Sequence, residues 1–451
     1  MKQKTPVVEL NRSLGIWSAL SLVIGTIIGA GVFVRQAAVL DDAGSTTGAL
    51  LAWLAGGVLT LTAGLTIAEI ASQMPHTGGL YVYMEHMYGR LWGFLSGWMQ
   101  IIIYGPAIIA ALAAYLGILM TDFFHLSSGW GLAVSLGTLV AVGTLNLFSN
   151  RYGAMFAIIT TICKLLPITA IIIFGLFFGD GNALGNSVST ATQHGSNFGV
   201  AILATLFAFD GWILVANLGD EIKEPQKLLP RAIIGGISIV MVIYLLVAYG
   251  VFASLPVTTI HRLGTAAIPF LATKDFGAIG GKLLSIGVII SIIGCINGKI
   301  MTFPRIMYAM ARDRELPFSR VLGYLNPKTR TPIFSTMTTL IIAALMVLFA
   351  NADRLSELCI FTVYCFYVMA FIGSFKLRHQ GAKRPFSMPL FPLTPIVAIG
   401  GSLFVLISEV FSDFTGVLFS LGMVVIGIPV YYYERKHNHA EDFIKQDDVG
   451  K

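Results

Sequence analysis

Three charged side chains stand inside long apolar stretches of the sequence, and these are the residues from which chemistry is expected. Lys164 lies near the middle of one stretch, Lys299 lies towards the end of another, and Asp210 interrupts a third. An ammonium group can hold backbone carbonyls or exchange a proton, and a carboxylate can cap a broken helix or bind another ammonium. All three are therefore candidate functional residues.

Two short segments predict interruptions of the helices that carry these groups. Residues 25–31 read Gly-Thr-Ile-Ile-Gly-Ala-Gly, and residues 207–212 read Phe-Ala-Phe-Asp-Gly-Trp. Glycine within a helix is about 1 kcal/mol less favourable than alanine. The spacing Gly25-xxx-Gly29 also suits close packing of helices, so the first segment alone leaves a break and a packing site as alternatives.

The composition places these stretches in a membrane. The chain has 451 residues, of which 56% are apolar and 12% are charged, and its mean hydropathy is +0.80. Soluble domains are nearer 25% charged. Apolar stretches long enough to span a bilayer as helices lie at residues 14–40, 49–73, 92–121, 128–148, 154–178, 198–219, 231–254, 280–311, 332–350, 355–376, 392–411 and 413–434. The sequence predicts an all-α polytopic protein with twelve membrane helices.

The distribution of basic residues predicts the orientation. Most Lys and Arg residues fall in loops on the side of the N-terminus, whereas the opposite loops carry Arg262, Lys274, Lys282 and Arg354. Basic residues mark cytoplasmic loops, so both termini are expected in the cytoplasm. The net charge of +6 therefore reflects topology, and no nucleic-acid partner is predicted.

The relation between the two interruptions favours transport. They lie in the first and sixth predicted spans. Equivalent points in the two groups of five spans are therefore five spans apart, and because five is odd, the second group is inverted in the membrane relative to the first. Interrupted spans at matching positions in two halves indicate the central site of a transporter. Unwound backbone in lipid is tolerated only where it faces protein, a cavity or a ligand.

Lys164 is about 15 Å from the nearest interface, counted at the rise of a helix. A charge at that depth costs about 2.5–3.5 kcal/mol on insertion scales, and its side chain is too short to reach the surface. A functional role is favoured over snorkelling. For Lys299, nearer the cytoplasmic end of its span, a role on the substrate path and simple snorkelling remain equal alternatives.

Five motifs in order resemble those of the amino acid–polyamine–organocation superfamily, and within it the bacterial L-type amino acid transporters. They lie at residues 25–33, 75–81, 207–212, 221–233 and 305–317. The resemblance covers nearly the whole chain and is greatest to serine/threonine and alanine–serine–cysteine exchangers. It implies a LeuT-like inverted repeat of five plus five helices, with helices 1 and 6 broken and two further helices at the end.

The resemblance also implies a division of the chain and a substrate site. The division is a cytoplasmic segment 1–13, a first repeat 14–178, an inverted repeat 198–376, helices 11 and 12 at 392–434 and a cytoplasmic tail 435–451. The substrate site is formed by Thr26, Ile27, Gly29, Ala30, Gly31, Phe207, Ala208, Asp210 and Gly211.

Within that site each backbone group has an expected role. Amides around residues 29–31 would face the substrate carboxylate, and the carbonyls of Ile27, Phe207, Ala208 and Asp210 would face its ammonium. Many relatives have Ser in place of Ala30, so one hydroxyl contact is absent here. The positive end of a half-helix independently favours a carboxylate.

The resemblance assigns coupling and gating residues as well. Lys164 would take the place of the cation of sodium-coupled relatives by holding carbonyls of helix 1, and Tyr244 would reach the same region. Phe207 matches an aromatic gate, and Lys299 is kept as a candidate. Two buried lysines and at most one nearby acid argue against cationic substrates, because like charges repel strongly where the dielectric is low.

The resulting hypothesis is a sodium-independent exchanger of small neutral L-amino acids in a bacterial plasma membrane. The alternatives are a proton-coupled symporter or uniporter of the same fold and, more distantly, an amino acid sensor that does not transport. No enzymatic activity, cofactor or metal site is predicted. The loop at 121–130 contains no cysteine, so no disulfide-linked heavy chain is expected, and the oligomeric state stays open.

Overall fold

A computed structural model describes residue 10 and residues 12–127, 129–148, 150–179, 197–349, 352–381 and 383–449. These residues form no β-strand. The helices are α1 Ile16–Ile27, α2 Gly31–Val34, α3 Gln36–Ala43, α4 Thr46–Gln73, α5 Leu80–Tyr88, α6 Arg90–Met99, α7 Gly105–Phe124, α8 Trp130–Phe148, α9 Asn150–Phe178, α10 Phe198–Phe209, α11 Pro225–Ser254, α12 Val257–Leu263, α13 Ala267–Arg312, α14 Ser319–Leu322, α15 Ile333–Phe349, α16 Ala352–His379, α17 Leu393–Ser412 and α18 Phe414–Val449.

Within the described residues, eleven helical segments are long and apolar enough to cross a membrane. The ninth predicted span corresponds to α15, which is apolar but has only 17 residues. The chain is thus an all-α polytopic membrane protein, and a total of twelve spans stays a prediction. Large apolar side chains such as Trp17, Phe177 and Phe411 are exposed, as on a surface that faces lipid.

Both predicted helix breaks are present. α1 ends at Ile27, and helical backbone resumes only with α2 at Gly31. α10 ends at Phe209, Asp210 is extended, and Gly211 has a φ of 113°. The chain then continues as a 3-10 helix over Trp212–Glu221, which is tighter than an α-helix.

Two other spans differ from simple helices. The third crossing contains a π-helical turn over Gln100–Tyr104, which joins α6 to α7. The eighth, α13, begins at Ala267 rather than near residue 280 and bends at Gly277, where φ is 71°. π-helical turns often accompany functional sites.

Small residues bring the central helices together. α1 packs against α9, α11 and α13, and α4 packs along α11 and α10. A Cβ atom at Gly236 on α11 would collide with Val23 on α1, and one at Gly294 on α13 would collide with Thr160 on α9. Such positions allow close approach of membrane helices. The breaks therefore lie at the centre of the bundle.

Candidate functional site

The two helix breaks touch each other. The Thr26 hydroxyl lies 3.1 Å from the Gly211 carbonyl, within hydrogen-bond distance, and 2.7 Å from the Leu22 carbonyl of its own helix. A Cβ atom added at Gly211 would lie 2.6 Å from the carbonyl oxygen of Thr26, and one added at Gly31 would overlap Ala208. Gly31 and Gly211 thus have to be glycines, because a side chain at either position would collide with the opposite break.

Tyr244 on α11 contacts both broken helices through its hydroxyl group. Its hydroxyl lies 3.1 Å from the Ile27 carbonyl and 3.0 Å from the Ala208 carbonyl. Both carbonyls belong to the set predicted to face a substrate ammonium. The Ile27 carbonyl also accepts from the Gly29 amide at 2.8 Å, which engages both lone pairs of its oxygen.

Lys164 on α9 covers the open carbonyls of the first break, as the sequence predicted. Its Nζ is 3.0 Å from the Gly25 oxygen and 2.5 Å from the Ile28 oxygen, and its side chain is fully buried. Ser291 donates to the Ile28 carbonyl at 3.1 Å, and Cys295 donates its S–H to the Thr26 carbonyl. These contacts replace hydrogen bonds that water cannot supply in a bilayer.

An ion pair joins the second break to α13. Lys299 Nζ is 2.7 Å from Asp210 Oδ2, and both side chains are buried. The Tyr104 hydroxyl, at the end of the π-helical turn, donates to Asp210 Oδ1 at 2.5 Å. The sequence singled out Asp210 and Lys299 separately but did not predict that they pair. Their opposite charges at membrane depth were the available signal.

A small void lies between the breaks and has a volume of about 10 Å³, close to the space of one water molecule. Its lining residues are Thr26, Ile27, Gly29, Ala30, Gly31, Ile108, Leu112, Phe207, Asp210, Cys295 and Lys299. Eight of these were predicted, and Ile108, Leu112 and Cys295 were not. The predicted Ala208 and Gly211 contact helix α2 and α1 instead, and Lys164 and Tyr244 do not line the void. Among the described residues, no cluster of three or more His, Cys, Asp or Glu side chains suits a metal ion.

A family profile described as amino acid permease matches residues 14–429, which is nearly the whole chain. The chain belongs to the amino acid permease family. It is 48% identical over 432 residues to the serine/threonine exchanger SteT of Bacillus subtilis, covering 95% of this permease and 98% of that protein.

More distant relatives of the permease include human transporters. Identity is 29% over 457 residues to the human large neutral amino acids transporter small subunit 2, covering 97% of this chain and 84% of that protein. It is 28% over 436 residues to the human cystine/glutamate transporter, covering 94% and 85%. All three relatives are named as amino acid carriers.

A cavity of about 930 Å³ leads into the permease from the face that carries the α7–α8 loop and α12. Arg35, Tyr115 and Phe33 line its inner part. The Arg35 guanidinium lies 5.0 Å from the centre of the Phe207 ring and donates to the Tyr115 hydroxyl at 3.1 Å. Phe207 lines the void and not the cavity, so the contacts of Arg35 and Tyr115 with Phe207 lie between the two spaces. The role of Arg35 was not predicted.

The opposite face of the permease is closed by contacts between its predicted motifs. Arg305 on α13 forms an ion pair with Glu221 at 3.2 Å, and both side chains are buried. The Leu14 amide donates to the Glu221 carbonyl at 2.9 Å, and the Leu14 carbonyl accepts from the Lys223 amide at 2.9 Å.

Glu69 on α4 is buried and lies away from the central void. Arg378 Nε donates to Glu69 Oε1 at 2.7 Å, and the Met388 amide donates to Glu69 Oε2 at 2.7 Å. This carboxylate therefore ties α4 to the end of α16 rather than serving the central void.

Proposed function

We propose that this permease is a sodium-independent exchanger of small neutral L-amino acids, of the serine, threonine, alanine and cysteine type, that works by alternating access. The observation that carries the proposal is the close approach of Thr26 and Gly211 beside a void that residues of both breaks line. The amides that begin α2 favour a carboxylate, because the first amides of a helix have no partner within it. The carbonyl end of α10 complements an ammonium group.

The site residues follow from this arrangement. Thr26, Gly29, Ala30 and Gly31 form the carboxylate side of the site, and Ile27, Phe207, Ala208, Asp210 and Gly211 form the ammonium side. Backbone groups recognise what all amino acids share, and the side-chain walls select among them. Ile108, Leu112 and Cys295 leave little room, which supports a small substrate side chain.

Independence from sodium is supported by Lys164. Sodium requires several oxygen ligands, and the carbonyls of Gly25 and Ile28 that would provide them already accept from Nζ of Lys164. A positive charge fixed at this position also repels a second cation in a medium of low dielectric constant. The ammonium group then holds helix 1 in its unwound conformation during the transport cycle.

Alternating access is supported by the different states of the two faces. The wide cavity is lined by Arg35, which lies over the Phe207 ring, whereas the buried Arg305–Glu221 pair closes the other face. By the charge distribution the cavity faces the cell exterior and both termini lie in the cytoplasm, in a bacterial plasma membrane. Entry then requires Phe207 and Arg35 to move, and release requires the Arg305–Glu221 pair to separate.

The remaining features of the proposal concern organisation and partners. The first five-helix repeat spans residues 14–178, and the inverted second repeat spans residues 198–376. Helices 11 and 12 follow at residues 392–434, and the cytoplasmic tail is residues 435–451. The protein acts as a carrier rather than an enzyme and needs no cofactor. It works without a disulfide-linked heavy chain, and a partner released by reduction on a gel of membranes from the native host would contradict this.

The experiment is uptake of labelled L-serine into proteoliposomes that contain the purified permease. Uptake that requires an unlabelled amino acid inside the vesicles, and that is the same in sodium and potassium buffers, is expected. Equal uptake into empty vesicles driven by a pH gradient would favour the proton-coupled symporter. Binding of serine without any uptake would favour the sensor.

A further inference from the structure

The loop that joins α13 to α15, residues 313–332, exposes large apolar side chains. Phe318 is 82% exposed, Val321 is 46% exposed and Tyr324 is 43% exposed. Their spacing of three residues places them on one side of the turn that contains α14. The α13–α15 loop therefore has an apolar side that the rest of the chain does not cover.

Hydrogen bonds fix the conformation of the α13–α15 loop. The Glu315 amide donates to the Met310 carbonyl at 2.9 Å, and the Ser335 hydroxyl on α15 donates to the Leu322 carbonyl at 2.7 Å. Leu316, an apolar residue of the same loop, is buried. The loop thus packs some apolar residues against the protein and holds others outward in a fixed position.

Three residues of the α13–α15 loop adopt a left-handed backbone conformation although none is glycine. The angle φ is 59° at Arg314, 58° at Phe318 and 53° at Arg330. Among the described residues, these are three of the six non-glycine positions with a positive φ. Such conformations cost free energy and are found mainly where a function requires them. Their concentration at exposed apolar and basic residues indicates that this surface binds something.

The exposed apolar side of the loop continues into an exposed side of α15. The Tyr324 ring contacts the Phe334 ring edge-on, with the ring centres 5.8 Å apart. The exposed apolar residues that follow along α15 at helical spacing are Met337, Ile341 and Leu345. In a polytopic membrane protein such a side faces acyl chains, and tyrosine concentrates where the headgroups begin. Lipid is therefore the medium that this loop meets.

Basic side chains border the apolar ones. Those exposed at the end of α13 and in the loop are Arg312, Arg314, Arg320, Lys328 and Arg330. The acids of the same segment are Asp313 and Glu315, and both carboxylates lie within hydrogen-bond distance of the Tyr81 hydroxyl. Five basic and two acidic residues leave an excess of positive charge. An apolar surface with a positive border matches a bilayer surface that carries phosphate anions.

We propose that the α13–α15 loop is a binding surface for anionic phospholipid of the adjacent leaflet. Phe318, Val321 and Tyr324 insert at the boundary between the headgroups and the acyl chains. Arg314 and Arg320 contact the lipid phosphates, to which a guanidinium can donate several hydrogen bonds. The bound lipid holds the end of α13, the helix that carries one partner of the ion pair on the closed face. This attachment does not depend on the proposed exchange of amino acids.

Insertion is tested with a nitroxide spin label attached to Phe318→Cys in bilayers that contain phosphatidylglycerol. Oxygen, which dissolves in lipid, should relax the label more than a water-soluble nickel chelate does. Glu224→Cys is the matched control, because Glu224 is exposed and also has a left-handed φ of 42°. A label there should be relaxed mainly by the nickel chelate. The unmodified permease, treated in parallel, gives the background from its own cysteines.

The charge of the lipid is tested by native mass spectrometry of the permease in detergent with equal amounts of phosphatidylglycerol and phosphatidylcholine. The unmodified protein should retain phosphatidylglycerol preferentially. Arg314→Gln combined with Arg320→Gln should lower this preference, by about fivefold for each arginine removed. Lys227→Gln removes an exposed basic residue that is paired with Glu224, and it should leave the preference unchanged.

Three results would overturn the inference. The first is a label at position 318 that the nickel chelate relaxes as strongly as it relaxes the label at position 224. The second is a preference for phosphatidylglycerol that persists after both arginine substitutions. The third is shielding of position 318 that disappears when the permease is diluted in lipid, which would identify a second copy of the chain as the occupant. Neither measurement requires transport, so each is independent of the proposed function.

Discussion

The Thr26 hydroxyl on the first broken helix lies 3.1 Å from the carbonyl oxygen of Gly211 on the second, within hydrogen-bond distance, and 2.7 Å from the Leu22 carbonyl of its own helix. The residues are 185 positions apart in sequence, yet a side chain at Gly211 would collide with the Thr26 backbone. The contact joins the end of α1 to the break that follows α10. The site thus consists of two helix breaks whose backbone groups lie against protein instead of lipid, as backbone outside a helix requires in a membrane.

The first prediction concerns the conformation of Gly211. Gly211→Ala would place a Cβ atom 2.6 Å from the Thr26 oxygen, at a φ of 113° that L-residues rarely adopt. We expect a loss of about 1–3 kcal/mol of stability, typical of forced backbone conformations, together with loss of serine exchange. Thermal unfolding in detergent and vesicle exchange measure the two effects.

The matched control for that substitution is Gly15→Ala, where a Cβ atom meets nothing within 4 Å and φ is −89°. It should unfold and transport as the unmodified permease does. Equal behaviour of the two alanine variants would mean that the contact between the breaks is not required.

The second prediction concerns Lys164. Lys164→Met removes the ammonium that holds the Gly25 and Ile28 carbonyls. Hydrogen bonds from a charged donor contribute about 1.5–3 kcal/mol each, so the exchange rate should fall by at least about tenfold while the protein still inserts. Lys227→Met, at an exposed ion pair with Glu224, is the control. Unchanged turnover of Lys164→Met would assign this lysine a purely structural role.

The third prediction concerns the seal between the cavity and the void. Arg35→Gln removes the cation–π contact with Phe207 and weakens the contact with Tyr115. A cation–π contact contributes about 0.5–2 kcal/mol, so a substrate behind the seal should be released faster, with an external KM raised several-fold. The exposed Arg262→Gln on the same face should leave KM as it is. A lower KM in Arg35→Gln would contradict the role of Arg35 in closure.

The fourth prediction is a dependence on the pH at the face that the Arg305–Glu221 pair closes. Burial raises the pKa of Glu315 to about 8, and the nearby carboxylates of Glu85 and Asp313 act in the same direction. The hydroxyl of Tyr81 joins the group, 3.0 Å from Asp313 and 3.2 Å from Glu315. These contacts hold α5 against the end of α13 on the closed face.

The sign follows from proton binding. The closed form holds the Glu315 proton more tightly than an open form in which the carboxyl returns to its ordinary pKa of 4.5. The closed form is therefore fully favoured below that value, and its advantage falls as the pH rises from 4.5 to about 8. Exchange limited by opening of this face should accelerate over that range, by no more than about tenfold per pH unit.

Glu315→Gln tests this directly, because the amide stays neutral at every pH. Its exchange rate should lose the acceleration with rising pH at that face that the unmodified permease shows. Glu224→Gln, at an exposed position of the same face, should keep it. A profile in Glu315→Gln identical to that of the unmodified protein would exclude this carboxyl.

The sequence was sufficient to predict features that local chemistry dictates. Glycines and an acid within apolar spans indicated both breaks, and the depth of Lys164 indicated that it needs partners, which proved to be the carbonyls of Gly25 and Ile28. Each of these conclusions needed only position along one helix and the requirement that backbone in lipid be hydrogen-bonded.

Features that depend on the rotation of one helix against another were not predictable. Lys299 and Asp210 are 89 positions apart, and neither segment indicates which faces of the two helices are in contact. The same holds for Arg35 over Phe207 and for Ile108 and Leu112 in the wall of the void. The 3-10 helix at Trp212–Glu221 was likewise missed, because hydrophobic pattern distinguishes it poorly from an α-helix.

The central claim is that the two breaks together bind an amino acid, and the most direct measurement is the position of bound L-serine in an experimental density map of the permease. The account predicts its carboxylate at the amides of residues 29–31 and its ammonium towards the carbonyls at the end of α10. Serine bound only in the outer cavity, or a continuous helix through either break, would contradict it.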